Sequence, residues 1–155
     1  MIEEGIGMRA KDIMSSDVVS VKEEASVKDI LDLLLKHKIS GVPVVDGSGK
    51  PVGVVSEADL LVKMKLPVTL RWLYQYAAYY YHDKTTDEQF KAQAHTASEI
   101  MSRNPVCVDP DTPADEIACL MIRKKIKRVL VVEDNRLVGI VSRADILKEI
   151  IAEKE

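Results

Sequence analysis

The sequence is poor in the residues from which most catalytic and metal sites are built. It has two cysteines, Cys107 and Cys119, and three histidines, His37, His82 and His95. The cysteines form no CxxC or other metal-type spacing, so they read as small buried apolar residues. The histidines are scattered, with His37 set between Lys36 and Lys38. No Cys/His or Ser/His/Asp set emerges from the spacing, so neither an enzyme activity nor a metal site is expected. Net charge is only −3, with both signs interspersed. That argues against a nucleic-acid surface built on bulk charge. No run approaches the roughly 20 apolar residues of a membrane span. Met1 to Met8 lacks the charged-then-apolar order of a signal peptide, so a cytoplasmic location without a membrane partner is expected. Gly47-Ser48-Gly49-Lys50 imitates the end of a phosphate-binding loop. Val44 stands where that loop needs its first glycine, however, and Pro51 where it needs a magnesium-binding hydroxyl.

Aromatic residues are missing from most of the chain. The one Trp, five Tyr and one Phe all fall within residues 64–97: Trp72, Tyr74, Tyr76, Tyr79, Tyr80, Tyr81 and Phe90. This segment is longer than most connections. Leu70 to Tyr81 fits a helix, and Thr86-Asp87 can cap a second one running through His95. Three roles suit it: a helical hairpin packed on itself and the body, a dimer contact favoured by Tyr and Trp, or a lid that stacks on a base.

What the chain does have is a repeat. Residues 11–46 align with 98–133, and 52–61 with 138–147. Asp12-Ile13-Met14-Ser15 matches Glu99-Ile100-Met101-Ser102, and Gly53-Val54-Val55-Ser56-Glu57-Ala58-Asp59 matches Gly139-Ile140-Val141-Ser142-Arg143-Ala144-Asp145. The gap falls at Gly47 to Pro51, where a turn tolerates it. Each copy reads as an extended piece (Val18 to Val21; Val106 to Val108), then a helix. Ser26 to Asp29 resembles a capping box, and Thr112-Pro113 places Pro at the first helical position. Ile30, Leu33, Leu34 and Ile117, Leu120, Met121 give each helix one buried stripe. Val42-Pro43-Val44-Val45 and Val129-Leu130-Val131-Val132 are strands without polar alternation, so both faces should be buried. A second strand and a second helix complete a β-α-β-β-α unit. One copy is small for a stable core, so two should pack together. The organisation is a leader (1–10), repeat 1 (11–63), the aromatic linker (64–97), repeat 2 (98–150) and a tail (151–155).

Ser56/Asp59 and Ser142/Asp145 have a simple account as helix caps. A hydroxyl and a carboxylate beside free helix N–H groups also suit a phosphate and a ribose diol. Both accounts stand on the residues alone.

These motifs, in fixed order and duplicated, resemble the CBS domain family, cystathionine-β-synthase-type domains paired as a Bateman module. The resemblance runs over 11–63 and 98–150; the linker is outside it. It implies an α/β (α+β) fold of two tandem repeats packed with pseudo-two-fold symmetry, plus a helical insertion. It also implies two clefts between the repeats that take AMP, ADP, ATP or S-adenosylmethionine as regulatory ligand, with no required cofactor. By position, Asp59 and Asp145 would hold ribose hydroxyls, and Ser56 and Ser142 phosphate or ribose. The backbone of Ser15 to Val19 and of Ser102 to Val106 would edge the base. Ile39, Ser40, Gly41 and Ile126, Lys127, Arg128 would line the clefts. The resemblance further implies a homodimer and a separate regulated protein. Where family members often carry a basic phosphate contact, repeat 1 has Ser40-Gly41 and repeat 2 has Lys127-Arg128. Unequal clefts are therefore expected, the basic one preferring phosphorylated ligands. The rival expectation is a structural or interaction module with vestigial clefts and the aromatic linker as its interface.

Overall fold

The structure, a computed structural model, describes residues 7–63 and 96–153. The aromatic helices expected from Leu70 to His95 lie outside the described residues.

In chain order the elements are α1 (Ala10–Ile13), β1 (Val21–Lys22), α2 (Val27–His37), β2 (Gly41–Val45), β3 (Pro51–Ser56), α3 (Glu57–Lys63), α4 (Ala97–Ile100), β4 (Ser102–Arg103), β5 (Cys107–Val108), α5 (Ala114–Lys124), β6 (Arg128–Glu133), β7 (Arg136–Ser142) and α6 (Arg143–Glu153). The β-α-β-β-α order holds in both copies, each preceded by a helical turn, and in the second copy the short strand β4 stands between that turn and β5. One sheet runs β1-β2-β3-β4 and the other β5-β6-β7. β1 is parallel to β2 and β5 to β6, while β3–β4 and β6–β7 are antiparallel.

The two α/β halves have the same local logic. Ser26 Oγ accepts the Asp29 N–H at 3.1 Å, which satisfies one of the orphan donors that open a helix. Val27, Ile30, Leu31 and Leu34 then form the buried face of α2. α5 starts differently from expectation. Pro113 is the cap residue (φ −61°, ψ 142°) and Ala114 the first helical one. Pro113 takes the place of Ser26 in the repeat and brings no hydroxyl to the cap. Both helices end on a lysine in the left-handed region, Lys38 and Lys125, each at φ 54°. β2 is buried along its whole length, Gly41 to Val45, as its unbroken apolar run requires.

The halves are compact units that do not coincide with the sequence repeats. Among the described residues, the β1–β4 unit gathers 19–47, 52–63 and 96–104, and the β5–β7 unit gathers 7–18, 48–51 and 105–153. Each unit is thus completed by the leading segment of the other repeat. Ala97, Ile100 and Met101 are buried in the core of the β1–β4 unit, with Ile30, Leu34, Val42, Val44 and Val55. Ala10 is buried in the core of the β5–β7 unit, with Ile117, Met121, Val129, Val131 and Val141. Mirrored backbone bonds fix both placements. Ala97 N–H donates to Ala25 O at 2.8 Å, and Ala10 N–H to Thr112 O at 2.8 Å. Burying a side chain such as Ile100 is worth about 1.5–3 kcal/mol, so these segments belong to the cores.

The cysteines depart from expectation: Cys107 and Cys119 are both exposed. Cys119 lies between the buried positions Ile117 and Met121 of α5, on the solvent side of that helix. Cys107 lies on a strand of two residues at the edge of its sheet. No described helix is long and apolar enough to cross a membrane.

Candidate functional site

Each candidate Ser–Asp pair stands where a strand passes directly into a helix: β3 into α3, and β7 into α6. In the β1–β4 unit, Oδ2 of Asp59 accepts the Ser56 backbone N–H at 2.9 Å and the Ser56 hydroxyl at 3.1 Å. The Asp59 N–H lies 3.3 Å from Ser56 Oγ, which accepts it. The β5–β7 unit repeats this, with Asp145 Oδ2 accepting Ser142 N–H at 2.8 Å and Ser142 Oγ–H at 3.0 Å, and Asp145 N–H donating to Ser142 Oγ at 3.3 Å. The capping account is therefore realised in both copies. It uses one carboxylate oxygen of each Asp. Both Asp residues are half-buried.

The other oxygen of Asp59 receives a hydroxyl from the far repeat. Ser102 Oγ donates to Asp59 Oδ1 at 3.1 Å. β4 brings Ser102 there by pairing with β3, in the register Val54↔Ser102. Ser15 takes the matching position in the β5–β7 unit, bridging Ile140. Its N–H donates to Ile140 O at 2.9 Å.

The motif glycines make this approach possible. A Cβ on Gly53 would lie 2.5 Å from Met101 Sδ and 2.9 Å from the Ser102 carbonyl oxygen. A Cβ on Gly139 would overlap Met14 Sδ. The leading segments thus run directly over the strand backbone, and only glycine leaves room for them.

The structure gathers the other expected residues into two sets. Val19, Ile39, Ser40, Gly41, Ser56, Asp59 and Ser102 belong to the β1–β4 unit, while Ser15, Val106, Ile126, Lys127, Arg128, Ser142 and Asp145 belong to the β5–β7 unit. Residues 15–19 and 102–106, expected to edge the base, are each divided between units, at Val18/Val19 and Asn104/Pro105. Ser40 and Lys127 stand at equivalent points. Glu57 N–H donates to Ser40 O at 2.9 Å, and Arg143 N–H to Lys127 O at 3.0 Å. Arg143 Nε also donates to Ile126 O at 3.2 Å. Arg128 is the register partner of Ser142 in the antiparallel pair β6–β7. Their side chains therefore share one sheet face.

Three features escaped the sequence reading: Ser102 on Asp59, the Gly–Met crossings, and the pair Glu57/Arg143. The last was visible as the charge-reversed position inside an otherwise matched motif. The first two depend on which unit each leading segment joins, and nothing local in the sequence states that.

Two groups elsewhere in the β5–β7 unit have shifted acidity. Asp111 accepts a hydrogen bond from Lys11 Nζ at 3.0 Å, and Lys11, with Arg9 nearby, holds its carboxyl below the usual range. Cys107 is exposed as a residue, yet its sulfur is tucked against the Pro105 carbonyl oxygen at 3.4 Å, and burial pushes its thiol up. Among the described residues, no group of three or more His, Cys, Asp and Glu side chains could hold a metal ion.

Known proteins resemble this chain in sequence and fold. A family model described as CBS domain matches residues 10–65 and 97–152. Uncharacterized protein MJ1426 of Methanocaldococcus jannaschii is 32% identical over 155 residues, covering 93% of this chain and 92% of its own. An inosine-5′-monophosphate dehydrogenase of the same organism matches at 26% identity, and there the chain spans only 23% of the relative's length. The crystal structure of CBSX2 in complex with AMP superposes with a TM-score of 0.72 at 27% identity, covering 96% of this chain and 100% of the other. CBSX2 is a protein of Arabidopsis thaliana. The CBS domain pair of protein MJ0100, in complex with 5′-methylthioadenosine and S-adenosyl-L-methionine, gives 0.67 at 27% identity, covering 95% and 98%.

Proposed function

Because the chain belongs to the CBS domain family and carries two such domains in tandem, we propose that it is a regulatory module that senses an adenosine derivative. In this reading Asp59 and Asp145 each hold ribose hydroxyls through Oδ1, while Oδ2 stays on the helix cap. Ser56 and Ser142 lock that carboxylate orientation. The observation that carries the reading is Ser102. Its hydroxyl already sits on Asp59 Oδ1 at 3.1 Å, in the manner a ribose hydroxyl would. The AMP held by CBSX2 and the 5′-methylthioadenosine and S-adenosylmethionine held by MJ0100 support this ligand class. AMP, ADP, ATP and S-adenosylmethionine are the compounds to test.

The reading assigns no catalytic step to the chain. Binding acts by favouring one of two arrangements, and the effect on a regulated partner protein can be no larger than the difference in ligand affinity between them. A homodimer is part of the reading, and sedimentation of the full chain with and without ligand tests it.

The direct test is a thermal-shift screen of the purified protein with these compounds, together with mass spectrometry of whatever co-purifies. A ligand at one hundred times its dissociation constant stabilises by about 2.7 kcal/mol. The expected result is a rise in Tm with at least one adenosine compound. If none moves Tm and none co-purifies, the interaction-module reading replaces this one.

A further inference from the structure

We propose that the two Ser–Asp sites sort adenosine ligands by charge: the β5–β7 site takes a phosphorylated one, and the β1–β4 site an uncharged or cationic nucleoside. This rests on the ligand class proposed above and adds which member of it each unit takes.

The two sites share one frame. Each has a Ser–Asp cap with the same three bonds. Each has the residue after the serine donating its N–H to the carbonyl at the matching position, Ser40 or Lys127. Each has a lysine, Lys38 or Lys125, in the same left-handed backbone state at φ 54°. The chemistry that differs is carried at three positions of this frame. Lys127, Arg128 and Arg143 bring three positive charges to the β5–β7 site, where the β1–β4 site has Ser40, Gly41 and the negative Glu57.

The placement of these residues makes the charges local. Arg128 is paired with Ser142 across the antiparallel strands, and both are half-buried. Arg143 is held at Nε by Ile126 O at 3.2 Å, a bond that does not use its two terminal nitrogens. A guanidinium fork of this kind matches phosphate oxygens, and Arg128, on the sheet face of Ser142, adds to the attraction. Glu57, at the position of Arg143 and two residues before Asp59, does the reverse. Two carboxylates repel a phosphate but accept hydroxyls and attract a cationic centre.

Equilibrium titration of the full chain with AMP and with adenosine, which differ only by the phosphate, tests this. Asp59→Ala leaves the β5–β7 site to be read, and Asp145→Ala leaves the β1–β4 site. Asp→Asn versions, which keep an acceptor for the cap, serve if the Ala proteins do not fold. The Asp59 variant is expected to bind AMP at least tenfold more tightly than adenosine, with the ratio falling as salt is added. The Asp145 variant is expected to show no preference for AMP. Adding Lys127→Ser, Arg128→Gly and Arg143→Glu to the Asp59 variant should abolish its preference. Equal AMP-to-adenosine ratios in the two single-site proteins would overturn the sorting while leaving the ligand class intact. Failure of the wild type to bind any adenosine compound would overturn both.

Discussion

The hydroxyl of Ser102 is bonded to Oδ1 of Asp59 at 3.1 Å, and 43 residues separate the two in sequence. One comes from each repeat, and both lie in the β1–β4 unit. A carboxylate that opens a helix in one repeat is thus held from outside by the other.

That bond should be measurable as stability. A hydrogen bond to a charged group contributes more than a neutral one, but this one is exposed, so Ser102→Ala should cost about 0.5–1.5 kcal/mol. Ser15, at the matching position, forms no hydrogen bond to Asp145 among the described residues. Ser15→Ala should therefore cost less. Urea denaturation of the two variants makes the comparison. Equal losses would mean the Ser102 contact adds nothing.

The motif glycines should differ in tolerance. At Gly53 an added Cβ meets the Ser102 backbone oxygen at 2.9 Å as well as the Met101 side chain. At Gly139 the three nearest atoms all belong to the side chain of Met14. Backbone cannot yield as a thioether can. Gly53→Ala should lower stability by about 1–3 kcal/mol, and Gly139→Ala by less. Met14→Ala should offset the second loss and Met101→Ala should not offset the first. Thermal melts of the four proteins and the two doubles test this.

Much of this architecture was legible in the sequence, and the failures share one cause. β2 and β6 were readable because their β-branched runs have no polar alternation. α2 was readable because Ser26 and Asp29 cap it and Ile30 and Leu34 stripe it. Both Ser–Asp caps were readable from spacing. The membership of Ala97–Met101 in the first repeat's unit was not. Ala97-Ser98-Glu99-Ile100-Met101 and Ala10-Lys11-Asp12-Ile13-Met14 present the same apolar positions, so either could fill either core. Only the tertiary contacts choose. The exposure of Cys119 was missed because composition favours burial of cysteine, while the solvent side of α5 left it outside.

The two left-handed lysines are sites for stabilisation. Lys38 and Lys125 hold φ 54°, a region that disfavours residues with a Cβ by about 1–2 kcal/mol. Glycine removes that strain but has more freedom to lose on folding. Lys38→Gly and Lys125→Gly should each stabilise by a net of roughly 0.5–1 kcal/mol. Chemical denaturation checks it. A loss of stability in both would mean that the lysine side chains contribute more than the backbone strain costs.

The Lys11–Asp111 pair predicts an acid dependence. The folded-state pKa of Asp111 lies below its ordinary value because Lys11, and secondarily Arg9, stabilise the carboxylate. Its contribution is therefore fully present above the ordinary aspartate range and is lost as pH falls through the lowered folded value. Both side chains are largely exposed, so the effect should be small and sensitive to salt. Wild type and Asp111→Asn should differ in Tm near neutral pH and converge in strong acid. A difference that grows on acidification would contradict the assignment.

The central claim is that Asp59 and Asp145 are the ribose-binding carboxylates, and calorimetric titration of AMP into wild type and the Asp59→Asn/Asp145→Asn double variant tests it most directly. Wild type should bind AMP, and the folded double variant should bind it at least tenfold more weakly, since each replaced carboxylate gave up a charge-assisted bond worth about 1.5–3 kcal/mol. A double variant that is folded and binds AMP as wild type does would contradict the account.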